Sequence, residues 1–241
     1  MHARAADLDV LARKLAQLAP LSADERAAVM ALPVTVKDFG ADEDVVREGD
    51  IPTECAILLG GFACRYKILA SGRRQILSFH LPGDIPDLQS LHLKIMDHGL
   101  AAVLPSKVAS IRHERVRELI ARFPRIGSSF WRDTLVDAAV FREWIVVVGG
   151  RPAVGRTAHL LCELLYRFRK AGLAIGSDSF RLSLTQGELG EALGLSLVQV
   201  NRSIQRLKRE GLIRISNGLV TILDWQGLQR RAEFDSTYLH C

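Results

Sequence analysis

The sequence predicts an α+β chain made of a compact antiparallel β-roll, one long helix and a C-terminal winged helix-turn-helix. Three observations carry this expectation. From Pro33 to about Arg112 the apolar residues alternate in short stretches broken by glycine turns. After Pro124 the apolar period becomes helical, and near the C-terminus two short helical patterns joined by a glycine precede an Asn-Gly hairpin signal.

The first helices lie within residues 8–30. Leu8, Leu11, Leu15 and Leu18 recur at helical spacing, and Ser22 with Glu25 fits a capping box before a second short helix. The roll follows. Leu77, Phe79 and Leu81 fall on one strand face against Ile76, Ser78 and His80 on the other, and Gly40, Gly49-Asp50, Gly60-Gly61, Ser71-Gly72 and Pro82-Gly83-Asp84 supply the turns. Thr134, Ala138, Phe141, Ile145 and Val148 then repeat at spacings of four and three. Such a stripe fits the seam of a coiled coil, and over two heptads it equally fits an amphipathic helix packed on its own roll. Gly149-Gly150 breaks the pattern as a hinge would, and Pro152 suits the first turn of a helix over 152–170.

Composition bounds the function. At 241 residues with 48% hydrophobic and 24% charged, the chain suits two globular domains rather than a disordered one. No apolar run nears the ~20 residues of a membrane span, and Met1-His2-Ala3-Arg4-Ala5-Ala6-Asp7 has no signal-peptide core, so the cytoplasm and no membrane partner are expected. Cys55, Cys64, Cys162 and Cys241 are scattered without C-x-x-C spacing, which predicts reduced thiols and no metal site. Residues 151–241 hold thirteen Lys and Arg against eight Asp and Glu, whereas residues 1–150 hold nineteen of each. The whole basic surplus is therefore C-terminal, where it would attract a polyphosphate.

In that segment Phe180-Arg181-Leu182-Ser183-Leu184 alternates like a strand. Thr185 and Glu188 fit a capping box, Leu189 and Leu193 form a buried stripe, and Gly194 suits a left-handed helix end. Ser196 can cap the next helix, with Val200, Ile204 and Leu207 inward and Gln199, Asn201, Arg202, Gln205, Arg206, Lys208 and Arg209 outward. Residues 211–215 and 219–222 flank Ser216-Asn217-Gly218 as a wing. A basic helix face is usually just solvated, but strand, helix, glycine turn, basic helix and hairpin here follow the order a winged helix requires.

These residues resemble the Crp/Fnr superfamily of bacterial transcription regulators. Thr185-Gln186, Leu189, Leu193-Gly194-Leu195-Ser196, Val200-Asn201-Arg202 and Gly211-Leu212-Ile213 match its DNA-binding signature. Arg47-Glu48-Gly49-Asp50, Leu58-Leu59-Gly60-Gly61, Gly72-Arg73 and Pro82-Gly83-Asp84-Ile85 are similar to its effector β-roll, of the cyclic-nucleotide-binding jelly-roll kind. The resemblance implies an effector-sensing roll over 1–123, a dimerisation helix over 124–150 with Thr134, Ala138, Phe141, Ile145 and Val148 at the interface, and a DNA-binding domain over 151–241. It further implies a homodimer on double-stranded DNA, with Arg202 reading a guanine. Asn201 and Gln199 are expected to contact bases or phosphates, and Thr185, Gln186, Ser196, Gln205, Arg206 and Lys208 complete the expected interface. Val198 stands where the family's usual acidic base reader would be, so an unusual half-site is expected. RNA polymerase is a further expected partner, although no residue marks a surface for it.

Asp84, Asp87 and His98 are the candidate effector-pocket residues. The family's Gly-Glu pair corresponds to Pro86-Asp87 and its Arg-Ser/Thr-Ala segment to Asp97–Ala102, and no arginine occurs from Gln75 to Ile111. A buried cyclic phosphate without a cation is too costly, so cyclic AMP is not the expected effector, which is instead an unidentified small molecule or a redox signal acting at Cys64 or Cys162. The first cysteine at Cys55 argues against an iron–sulfur cluster, lone His80, His92 and His98 read as structural rather than as haem ligands, and no cofactor is expected. A sensory roll acting through protein partners is the competing reading. An enzyme is not expected, since no G-x-S-x-G, H-E-x-x-H, P-loop or clustered cupin ligands occur.

Overall fold

The computed structural model describes residues 8–182 and 184–240. The readings made on Met1 to Asp7, on Ser183 and on Cys241 lie outside them. The residues form two compact units, one up to residue 72 with 77–137 and one of 73–76 with 138 onward, so the division falls inside the longest helix.

The first unit opens with α1 (Asp9–Leu18) and α2 (Ala23–Met30). The expected capping box is present: Glu25 N–H donates to Ser22 Oγ at 3.2 Å, and Ser22 N–H donates to the Glu25 carboxylate at 2.7 Å. Seven strands follow: β1 (Thr35–Phe39), β2 (Asp44–Val46), β3 (Glu54–Gly60), β4 (Ala63–Ile68), β5 (Arg74–His80, its residues 74–76 counted with the second unit), β6 (Gly99–Ala102) and β7 (Ser106–Arg112). They make a three-stranded sheet in the order β1-β7-β3 and a four-stranded one in the order β2-β6-β4-β5, with β7 antiparallel to β1 and β3 and β6 antiparallel to β2 and β4. Gly61 makes the β3–β4 turn at φ +91°, where any Cβ would stand 2.6 Å from Ser106 Cα. Only glycine permits that approach. Leu8, Leu11, Leu15 and Leu18 from the α1 segment pack with Cys55, Ile57, Ala109 and Ile111 of the sheet, each buried Leu or Ile contributing about 1.5–3 kcal/mol.

On β5 the alternation separates two buried surfaces rather than core from solvent. Ile76, Ser78 and His80 are buried along with Phe79 and Leu81, and the two polar side chains satisfy each other through a 2.9 Å bond between Ser78 Oγ and His80 Nε2.

After α3 (His113–Arg122), helix α4 runs from Pro124 to Gly150. The helix ends at Gly149-Gly150, where the sequence breaks the apolar pattern, and both glycines still keep helical backbone. Pro152 takes φ −68°, ψ 158° as the N-cap of α5 (Ala153–Lys170), one position before the place expected for it. The inward stripe of α4, Ile126, Phe130, Asp133, Asp137, Val140, Trp144 and Val147, alternates fours and threes, and its apolar members are buried.

The second unit continues with β8 (Ser179–Arg181), α6 (Gln186–Leu193), α7 (Leu197–Arg209), β9 (Ile213–Ser216), β10 (Leu219–Ile222) and α8 (Trp225–Ala232). Its sheet has the order β8-β10-β9. Strand β8 is shorter than the alternation of residues 180–184 suggests: it begins one residue earlier and ends at Arg181, although Leu182 N–H still donates to Gly218 O at 2.8 Å. Among the described residues no helix is long and apolar enough to cross a membrane.

Candidate nucleic-acid interface

Helices α6 and α7 are each started by a reciprocal cap. Thr185 Oγ1 accepts from Glu188 N–H at 3.2 Å while the Glu188 carboxylate accepts from Thr185 N–H at 2.6 Å. Ser196 Oγ accepts from Gln199 N–H at 3.3 Å while Gln199 Oε1 accepts from Ser196 N–H at 2.9 Å. Between them Gly194 ends α6 at φ 62°, ψ 39°, the left-handed conformation that turns the chain. Gly190 lets the turn approach α6 so closely that a Cβ there would lie 2.6 Å from Leu195 O.

Val200, Ser203, Ile204 and Leu207 are the buried side of α7, and Gln199, Asn201, Arg202, Gln205, Arg206 and Arg209 are exposed, with Lys208 half-buried. The side chains of Arg202, Gln205 and Lys208 have no hydrogen-bond or ion-pair partner among the described residues. The other expected contacts are already committed within the chain. Gln199 holds the cap, Asn201 Nδ2 donates to Gln186 Oε1 at 3.3 Å, and Arg206 pairs with Glu210 at 2.8 Å. The Ser-x-x-Gln pattern at Ser196 and Gln199 is the sequence signal that could have assigned Gln199 to the cap. Asn217 at φ 49° and Gly218 at φ 73° turn the wing between β9 and β10, as the Asn-Gly pair requires.

Outward on α4 lies a second stripe. Trp131 is 65% exposed and Ile145 72%, with Leu135 and Val146 also exposed; Thr134 is exposed, and Ala138, Phe141 and Val148 are half-buried. Trp131, Leu135 and Val146 escaped the sequence reading, which followed a single repeat through Thr134 and Ile145.

In the first unit, Arg65 of β4 is buried, donating from Nε to Pro86 O at 2.7 Å and from Nη1 to Asp137 of α4. It is an arginine from a strand outside the arginine-free stretch 75–111, and its charge is already matched by Asp137. Asp84 accepts from Leu81 N–H at 3.0 Å and from Lys14 Nζ at 2.9 Å. Asp87 Oδ1 accepts from Ala56 N–H at 2.8 Å, while Oδ2 is buried without a partner among the described residues, and burial raises the carboxyl to about 7. His98 bonds Asp97 at 2.7 Å, and burial, with Arg65 adding to it, lowers its affinity for a proton. Burial and Arg65 likewise hold His80 at about 4. Cys55 and Cys162 are buried thiols pushed upward by desolvation, Cys55 to about 12.

A buried network in the second unit was not anticipated. Arg151 Nη1 donates to His159 Nδ1 at 2.5 Å, which leaves His159 Nε2 to donate to the Tyr238 hydroxyl at 3.1 Å. Tyr238 in turn donates to Glu163 at 2.8 Å, and Glu163 also accepts from Trp144 Nε1 at 2.9 Å. Burial and Arg151 hold His159 at about 3, so the ring is neutral and can accept.

Two family models match the chain: the Crp-like helix-turn-helix domain over residues 155–231 and the cyclic nucleotide-binding domain over 36–123. A transcriptional regulatory protein btr from Bordetella pertussis is 32% identical over 161 residues, covering 67% of this chain and 66% of that protein. Electron transport regulator A from Shewanella oneidensis is 26% identical over 188 residues, covering 78% and 74%. FixK2 from Bradyrhizobium japonicum shares the fold, with a TM-score of 0.74 at 23% identity, over 82% of this chain and 96% of that one.

Proposed function

This chain belongs to the Crp/Fnr family of DNA-binding transcription regulators, and we propose that it acts in the cytoplasm as a homodimer, not an enzyme, presenting α7 twice to a two-fold symmetric operator. The observation that carries this reading is α7 itself: a capped helix whose outer side offers the side chains of Arg202, Gln205 and Lys208, without partners among the described residues. A guanidinium with no internal partner can pair bidentately with guanine O6 and N7, worth about 1–3 kcal/mol of discrimination, whereas a lysine on phosphate gives affinity without sequence preference. The exposed stripe of Trp131, Leu135 and Ile145, with half-buried Ala138 beside it, is the surface proposed for the second copy, since large apolar side chains in one helical line seek cover.

The effector is not cyclic AMP in this reading, because Arg65, buried in the roll near Asp87, is held by Asp137 and Pro86. The expected signal is another small molecule or a redox change; of the two candidate thiols, burial pushes Cys162 upward and makes it a poor redox sensor. Binding of Arg202→Ala and Lys208→Ala to an operator and to scrambled DNA tests the assignment. Arg202→Ala is expected to lose discrimination at one guanine, and Lys208→Ala to weaken all DNA alike and reduce the salt dependence; uniform loss from Arg202→Ala would reject it.

A further inference from the structure

We propose that Val198 reads the methyl group of a thymine, so that the half-site selected by this protein carries thymine one or two base pairs from the guanine paired with Arg202. The inference rests on α7 being the DNA-reading helix and names what its first turn recognises.

Leu197 is 61% exposed and Val198 54% exposed at the start of α7. The fold gives no reason for them. A β-branched residue has no advantage in a first helical turn, and neither side chain packs into the buried side formed by Val200, Ile204 and Leu207. Gln199, the polar residue of the same turn, has its amide oxygen held by the backbone N–H and hydroxyl of Ser196 at 2.9 and 3.0 Å. The tip of the helix therefore shows an apolar surface and no carboxylate. In the major groove the C5 methyl of thymine is the one apolar group on a base edge, whereas the cytosine amino group would lose its hydrogen bond against valine.

Geometry fixes the neighbour. Val198 and Arg202 are four residues apart on one helix face, about 6 Å along the axis at 1.5 Å per residue. Stacked base pairs rise about 3.4 Å, which sets the two contacts one to two steps apart.

The test uses the full chain and a double-stranded library with a random core. The selected half-site is then made with deoxyuridine replacing each thymidine in turn, which removes only the methyl group, and affinity is read by fluorescence anisotropy. One position, one or two pairs from the conserved guanine, is expected to lose about fourfold, equivalent to about 0.8 kcal/mol for one methyl-sized group at 1.4 kcal/mol per tenfold. Val198→Ala should abolish that sensitivity, and Val198→Glu should move the preference toward cytosine there. Circular dichroism confirms folding, since position 198 is exposed. A selected half-site with a G·C pair at that place, or one indifferent to the methyl, would overturn the inference and leave the regulator reading intact. A library yielding no enriched sequence would overturn both.

Discussion

Replacing Gly190 by alanine sets two effects against each other inside the helix-turn-helix. Alanine in a helix interior is favoured over glycine by about 0.5–1 kcal/mol. At Gly190, however, the new Cβ would stand 2.6 Å from the backbone oxygen of Leu195, where an ordinary carbon–oxygen contact is about 3.3 Å. Backbone cannot rotate away as a flexible side chain would, so the turn must shift by several tenths of an ångström, at an overpacking cost of about 1–3 kcal/mol. The steric effect wins, by about 1 kcal/mol, and the displaced turn re-aims α7. Gly187 is the internal control: its Cβ would meet nothing nearer than Thr185 Oγ1 at 3.6 Å, so Gly187→Ala should stabilise by a few tenths of a kcal/mol. Urea unfolding of both variants, followed by operator affinity, separates the cases. A Gly190→Ala protein as stable as Gly187→Ala with unchanged affinity would refute the reasoning.

Other consequences can be measured in the same way. Acid should destabilise the second unit through His159: the fold holds its ring at about 3 against 6.5 in the unfolded chain, so stability is full above about pH 6.5 and is lost as the pH falls, by about 2 kcal/mol at pH 5. His159→Gln should flatten that part of the unfolding-versus-pH curve, and an unaltered slope would contradict it. Ser196→Ala removes the acceptor for Gln199 N–H and should cost about 1 kcal/mol in thermal unfolding, with Ser196→Asp recovering most of it. Ile145→Glu places a carboxylate in the exposed stripe of α4 and should convert a sedimenting dimer to monomer without changing the circular dichroism spectrum.

Local chemistry was legible in advance. Ser22 with Glu25 and Thr185 with Glu188 announce caps because both partners lie within three residues, Gly194 announces a left-handed end, and Val200, Ile204 and Leu207 announce the buried side of α7 by period alone. What escaped depends on distance along the chain. Arg65 meets Asp137 across 72 residues and Tyr238 meets Glu163 across 75, and no pattern in either segment marks such a partner. On α4 the inward and outward stripes share one four-three rhythm, so the period could not tell which side would be covered. Gln199 carries two local signals at once: its spacing from Ser196 announces a cap, and an exposed amide on a basic helix equally suits a base contact.

Hydroxyl-radical footprinting of the selected operator tests the central claim most directly. Two protected half-sites are predicted on one face of the duplex, with centres about 10–10.5 base pairs apart or a multiple of that, both weakened together by Arg202→Ala. A single protected patch, or protection indifferent to Arg202, would contradict a symmetric pair of reading helices.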